Sequence, residues 1–280
     1  MNNGYFSSPS DNNSQQMHYN VEGYKTIKQK YTKKQASVLT VSLLTAGIGF
    51  LYVAVLGLLL EYLVFNPILL NPDATIGQLT AANAILTIAS VGIIIGIIMS
   101  FIWSFRLYKA SLAFGIVTIF IYASSFAVGF GSLFSYIEAI SDEKGLSIIM
   151  SAFGLVGVIF LGAFAVAKLL SIKGIITLTK LIIATSAIAF VAYLAFMIWA
   201  LIGMQASYAR TVSLIINGLF CLLSIFLLVS NIWKAQNMDK FYLPNELNAK
   251  MGLFIGFQIL VSLITILYTI LRIFAASSRG

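Results

Sequence analysis

The segment Gln258–Arg272, QILVSLITILYTILR, decides how the rest of the chain is interpreted, because it forms an apolar helix with one polar edge. At 3.6 residues per turn, polar positions separated by three or four residues share one face of a helix. The preceding apolar segment has a second edge of the same kind. We therefore predict a narrow polar seam inside a membrane bundle. Its candidate pore or gating residues, called the seam below, are Asn217, Ser224, Asn231, Gln258, Ser262, Thr265 and Arg272.

The composition predicts an integral membrane protein. Of 280 residues, 60% are hydrophobic and only 9% are charged, with a mean hydropathy of +0.96, whereas a soluble domain carries about 25% charge. This length allows about seven spans of roughly 20 residues. The single cysteine, Cys221, cannot form an intramolecular disulfide. The net charge of +8 flanks the apolar segments, where orientation and anionic lipid explain it better than nucleic acid does.

Intervals between charges predict an all-α bundle of seven transmembrane helices. The predicted spans are 38–60, 79–104, 110–134, 146–167, 181–203, 211–233 and 251–275. They form a domain of residues 36–276, which precedes a short C-terminal tail, 277–280. Residues 1–35 are polar and lack an apolar period, which predicts a disordered basic cytoplasmic tail. Its lysines between Lys25 and Lys34 are expected to contact anionic lipid headgroups.

The basic residues also predict the orientation of the bundle. With the N-terminus inside, thirteen of the 17 basic residues lie in cytoplasmic segments. This asymmetry is strong for short loops. We expect a cytoplasmic N-terminus and an external C-terminus, in a bacterial plasma membrane.

The usual catalytic groups are missing from the predicted spans. The only histidine, His18, lies in the tail, so the sequence contains no zinc-binding HExxH helix, no Ser/His/Asp triad and no Cys/His pair. Every acidic residue, including Glu61 and Glu138, is predicted to lie in a loop or at the end of a span, which argues against an intramembrane aspartic protease. We expect no catalytic, cofactor-binding or metal-ligating residue, and no enzymatic activity.

The last two predicted spans carry a resemblance to a known family. The sequences SLIINGLF (213–220) and LVSNIWKAQNM (228–238) resemble the sixth helix of the Bax inhibitor family, and the chain as a whole resembles a bacterial-type member of that family. The closing ILYTILRIF (266–274) resembles the family's last helix, and its LRIF ending is the most distinctive match. Weaker similarity at SIIMSAF (147–153) and LSIKG (170–174) extends the resemblance over about residues 36–275.

This resemblance implies a fold and a function. The fold is a seven-helix bundle whose last helix is surrounded by the other six. The function is pH-sensitive calcium leak, so calcium or another cation is the expected partner besides the lipid bilayer. In the family, two aspartates that share a proton are held to form the gate, and an arginine interacts with them. Aligned without gaps, those two positions are Asn231 and Ser262 in this chain.

The loss of both carboxylates limits what the resemblance implies. Asparagine and serine form hydrogen bonds but do not titrate near neutral pH, so an aspartate proton switch should be absent. Neutral oxygens alone also bind divalent ions weakly. We therefore predict an ion leak that does not respond to pH. The alternatives are a non-conducting structural or regulatory membrane protein that acts through a partner, and a small-solute transporter, although no inverted repeat is evident.

Two further interpretations stay open at this point. The seam residues could serve only to join the last two helices by hydrogen bonds of about 0.6 kcal/mol each. Arg272 could extend to the lipid headgroups, or it could turn inward toward helix carbonyls or the Asn231 region.

Overall fold

The computed structural model describes residues 37–107, 109–141, 144–202, 206–238 and 245–277, and these residues are helical apart from short connections, with no strand among them. The predicted tail of residues 1–35 lies outside the described residues, as do residues 278–280. The elements are α1 (Val38–Leu60), a π-helical turn (Glu61–Phe65), α2 (Asn66–Leu69), α3 (Ile76–Phe105), α4 (Leu112–Ser141), α5 (Gly145–Leu169), α6 (Ile172–Ile202), α7 (Ala206–Met238) and α8 (Asn245–Ser277).

Seven of the described helical stretches are long and apolar enough to cross a membrane. The first is one continuous segment, Val38–Leu69, that contains α1, the π-helical turn and α2. The other six correspond to α3 through α8. The prediction of an all-α, seven-helix integral membrane protein is confirmed, and the lipid bilayer is its environment.

The last helix, α8, is the most buried of the seven. In its most apolar 18-residue window 61% of the residues are buried, against 6% for α6 and 11% for α3. It packs against α1, α4, α5 and α7, and Trp103 of α3 adds ring contacts to Phe254 and Phe257. The peripheral helix is α6, which packs chiefly on α7. The central position of the last helix is therefore confirmed, but the expectation that all six other helices surround it is wrong for α6, which packs chiefly on α7.

Glycines allow α8 to approach α1 closely. A Cβ atom added to Gly256 would lie 2.6 Å from the carbonyl oxygen of Ser42. The hydroxyl of Ser42 donates to the carbonyl of Gly252 at 3.0 Å, which links the two helices directly. Inside a membrane such close packing takes the place of the hydrophobic effect.

Several predicted span boundaries are wrong because the helices continue past charged residues. The predicted loop around Glu138 belongs to α4, which extends to Ser141. Lys173 and Lys180, predicted to lie in a loop, belong to α6. Glu61, predicted to end the first span, lies within the continuous helical segment and is only 4% exposed. Lys173 and Lys180 are exposed, so their long side chains can carry the charge away from the apolar surface, whereas Glu61 is buried.

Candidate functional site

The seam lies where α7 and α8 pack against each other in an antiparallel arrangement. Asn231, Gln258 and Ser262 line a common cleft of about 360 Å³, called the Asn231 cleft, which meets α8 near the middle of that helix. Asn231 and Ser262 are each only 4% exposed. The structure therefore brings three of the seven predicted residues together, including both positions that the resemblance aligns with aspartates.

Other elements complete the wall of the Asn231 cleft. From α3, Ser100 and Ser104 add two hydroxyls, and Tyr122 of α4 adds its ring. Lys234, one turn after Asn231, places an exposed basic side chain at the cleft. The rest of the wall is apolar, so the cleft is a small uncharged polar surface with a single basic residue beside it.

A second cleft lies at another level of the α7–α8 pair. Its volume is about 240 Å³, and Asn217 and Arg272 line it together with Ser213 and Tyr136. Asn217 donates to the hydroxyl of Ser213 at 3.4 Å. Arg272 is exposed, and its guanidinium carbon lies 5.4 Å from the centre of the Tyr268 ring. We call this the Asn217 cleft.

The remaining two seam residues occupy the level between the clefts. Fourteen residues separate Asn217 from Asn231, which corresponds to about 21 Å along α7. Ser224 lies midway and is buried, and Thr265 occupies the corresponding level of α8 and is half-buried. The seam is therefore two separate clefts with a closely packed segment between them.

The seam hydroxyls on α8 bond within their own helix. Ser262 donates to the carbonyl of Gln258 at 3.0 Å, and Thr265 donates to that of Val261 at 2.8 Å. A serine or threonine can satisfy its hydroxyl in this way one turn earlier. These bonds do not join α7 to α8. They therefore give no support to the interpretation in which the seam holds the last two helices together by hydrogen bonds.

A second polar group, which was not predicted from the sequence, lies between the first span and α4. We call it the carboxylate cluster, and it consists of Glu61, Asn66, Ser135 and Glu138. The amide nitrogen of Asn66 donates to the Glu138 carboxylate at 2.8 Å. The prediction that every acidic residue lies in a loop or at the end of a span is wrong for Glu61, which is buried within the span Val38–Leu69. Glu138 lies in the last turn of α4, which agrees with the prediction. The sequence feature that could have indicated this cluster is the five-residue spacing of Glu61 and Asn66, which corresponds to one π-helical turn.

The comparisons with known proteins add no identity. No protein-family model matches the chain, and a search of curated proteins finds no match to it either. Within the described residues, no group of three or more histidine, cysteine, aspartate or glutamate side chains could hold a metal ion. The similarity of the last two spans to the Bax inhibitor family therefore stays a prediction.

Proposed function

We propose that this integral membrane protein is a non-enzymatic ion-leak protein of the Bax inhibitor kind, with the seam as its ion path. The observation that supports the proposal is the pair of polar clefts at two levels of the α7–α8 pair, beside the most buried helix of the bundle. Polar surface inside an apolar bundle is costly unless it lines a water-filled cavity or forms hydrogen bonds. Calcium is the ion that the resemblance implies, and a bacterial plasma membrane with a cytoplasmic N-terminus belongs to the same proposal.

In this proposal the described conformation is closed. An ion would have to pass the level of Ser224 and Thr265, where Leu228 and Ile264 are fully buried. Each cleft also carries one basic residue, Lys234 in one and Arg272 in the other. Basic side chains lower the local concentration of cations. We therefore expect a slow leak that needs local separation of α7 and α8.

The first test is ion flux into liposomes that contain the purified full-length protein. Gln258→Leu and Ser262→Leu should each reduce calcium flux by on the order of tenfold, because a branched apolar side chain closes the polar path at the Asn231 cleft. Ser90→Leu is the matched control, since Ser90 bonds one turn back in the same way but is exposed on α3. Wild-type flux equal to that of empty liposomes, for calcium and chloride alike, would favour the non-conducting alternative.

The second test restores the carboxylates that the resemblance leads one to expect. The wild-type leak should change little between about pH 6 and pH 8, because Asn231 and Ser262 do not titrate there. The double variant Asn231→Asp with Ser262→Asp should acquire a pH-dependent leak, since two close carboxylates share a proton. A wild-type flux that rises with acidity and is abolished by Asn231→Ala or Ser262→Ala would contradict the proposal.

A further inference from the structure

The carboxylate cluster depends on the π-helical turn that follows α1. Pro67 has no N–H to donate, and in a regular α-helix its ring would collide with the carbonyl four residues earlier. A wider turn directly before the proline relieves this conflict. In this turn the N–H of Asn66 bonds to the carbonyl of Glu61, five residues back. The turn therefore stacks Asn66 above Glu61 on one face of the segment.

The facing surface of α4 supplies the other half of the cluster. Gly131 approaches so closely that an added Cβ would lie 3.2 Å from the backbone nitrogen of Glu61 and 3.0 Å from the carbonyl of Gly57. Ser135 and Glu138 follow Gly131 by four and seven residues, so they lie on the same face of α4. The Glu138 carboxylate accepts a hydrogen bond from the amide of Asn66 at 2.8 Å, and Gly131 brings the Ser135 and Glu138 face of α4 against the backbone of Glu61. Polar side chains of two spans therefore lie on facing helix surfaces.

Three oxygen atoms of the cluster are buried without a hydrogen-bond partner. They are Oε1 of Glu61, Oδ1 of Asn66 and Oγ of Ser135. Glu61 is 4% exposed and Ser135 is fully buried. The amide nitrogen of Asn66 already donates to Glu138, so its oxygen is the atom that lacks a partner. Carboxylate and amide oxygens only accept, so the missing partner must be a donor or a cation.

No basic side chain of the described residues provides that partner. The ion pair among these residues joins Lys250 to Glu246, at the beginning of α8. Lys144, next to the Gly145 that packs on Glu138, is exposed. Glu61 is buried and Glu138 is half-buried, and a buried carboxylate that nothing compensates costs several kcal/mol of desolvation. If both carboxylates are ionised, their charge has to be balanced by a cation that the described residues do not supply.

We propose that the carboxylate cluster binds one divalent, oxygen-liganded cation of the calcium type. The carboxylates of Glu61 and Glu138 supply the charge, and the oxygens of Asn66 and Ser135 supply neutral ligands, with water completing the six to eight oxygens that such an ion takes. The site is separate from the seam, and it exists whether or not the protein conducts ions. In the predicted orientation it lies toward the external face, where sites of about 10⁻⁴ to 10⁻³ M suffice.

The test is calcium binding by the purified full-length protein in lipid nanodiscs, measured by equilibrium dialysis and by the rise in melting temperature with calcium concentration. A ligand that binds only the folded state raises this temperature as its concentration increases. Glu61→Gln and Glu138→Gln should each weaken binding by on the order of tenfold or more, because ligand charge sets affinity. Glu246→Gln, which removes an exposed carboxylate, should bind as the wild type does.

Protons should compete with the metal, so binding should weaken as the pH falls from about 8 to 5. Asn66→Ala gives a milder variant in case the glutamine variants fold poorly, and it should also weaken binding. The proposal is overturned if the wild type binds no calcium at millimolar concentration, or if the glutamine variants bind as tightly as the wild type. It is equally overturned if the melting temperature responds to pH but not to calcium, since the two carboxyl groups would then share a proton instead. None of these outcomes depends on ion flux, so the leak proposal can fail or succeed separately.

Discussion

The seam and the carboxylate cluster are both polar regions of an apolar bundle, but their side chains are satisfied in different ways. In the seam, Ser262 and Thr265 donate to carbonyls of their own helix. In the cluster, Glu61 can only accept, and the N–H groups of a helix interior are already used by the helix itself. Its oxygen is left buried without a partner. A buried polar side chain therefore indicates a ligand when no group of its own helix can satisfy its hydrogen bonds.

The largest expected effect concerns the packing of α3 on α8, behind the phenylalanines that line the Asn231 cleft. Trp103 is 1% exposed and packs edge-on against Phe254 at 5.2 Å. Trp103→Ala should lower the free energy of unfolding by about 3–5 kcal/mol, because the cavity it leaves lies between α3 and α8. Reversible unfolding in mixed detergent micelles measures this loss, and Phe190→Ala, at an exposed position of α6, is the control. If Trp103→Ala still folds but no longer binds calcium at the cluster, the seam and the cluster are not independent regions.

A smaller effect is expected where the cluster depends on close helix approach. Gly131→Leu should cost about 1–3 kcal/mol, because its side chain would push α4 away from the backbone of Glu61. It should also abolish calcium stabilisation. Gly129→Leu is a matched control on the same helix, since no atom lies within 4 Å of its added Cβ. Equal melting temperatures for the two variants would show that Gly131 does not hold the spans together.

The smallest expected effect is the change in stability on replacing one serine by alanine, and its sign should differ between the cluster and the seam. Ser135→Ala removes a buried hydroxyl without a partner, so in metal-free buffer it should stabilise the protein by about 1 kcal/mol. With calcium present the gain should shrink, because a ligand is lost. Ser262→Ala removes a satisfied hydroxyl and should cost about 0.6 kcal/mol or less. Both changes are measured by unfolding with and without a chelator, and a loss of stability for Ser135→Ala in the chelator would contradict the assignment of an unsatisfied oxygen.

The seam was predictable from the sequence only as a set of positions on two helix faces. Spacing placed Asn231, Gln258 and Ser262 on facing edges, and the structure groups these three at one cleft. Spacing did not separate them from Asn217 and Arg272, which line the other cleft. That separation depends on which helices cover the middle of the α7–α8 pair, and such packing involves residues far apart in the chain.

The sequence by itself determined the class of the protein and the number of its spans, because the length of an apolar segment needed to cross a bilayer is fixed by the thickness of the hydrocarbon. Tertiary structure alone decided the environment of Glu61. In a soluble protein Pro67 would predict that the helix ends near the residue before it. In this bundle the segment Val38–Leu69 continues through Pro67 by means of a π-helical turn that begins at Glu61. Backbone groups inside a membrane must be satisfied within the protein, so the chain widens its helix there and does not unfold it.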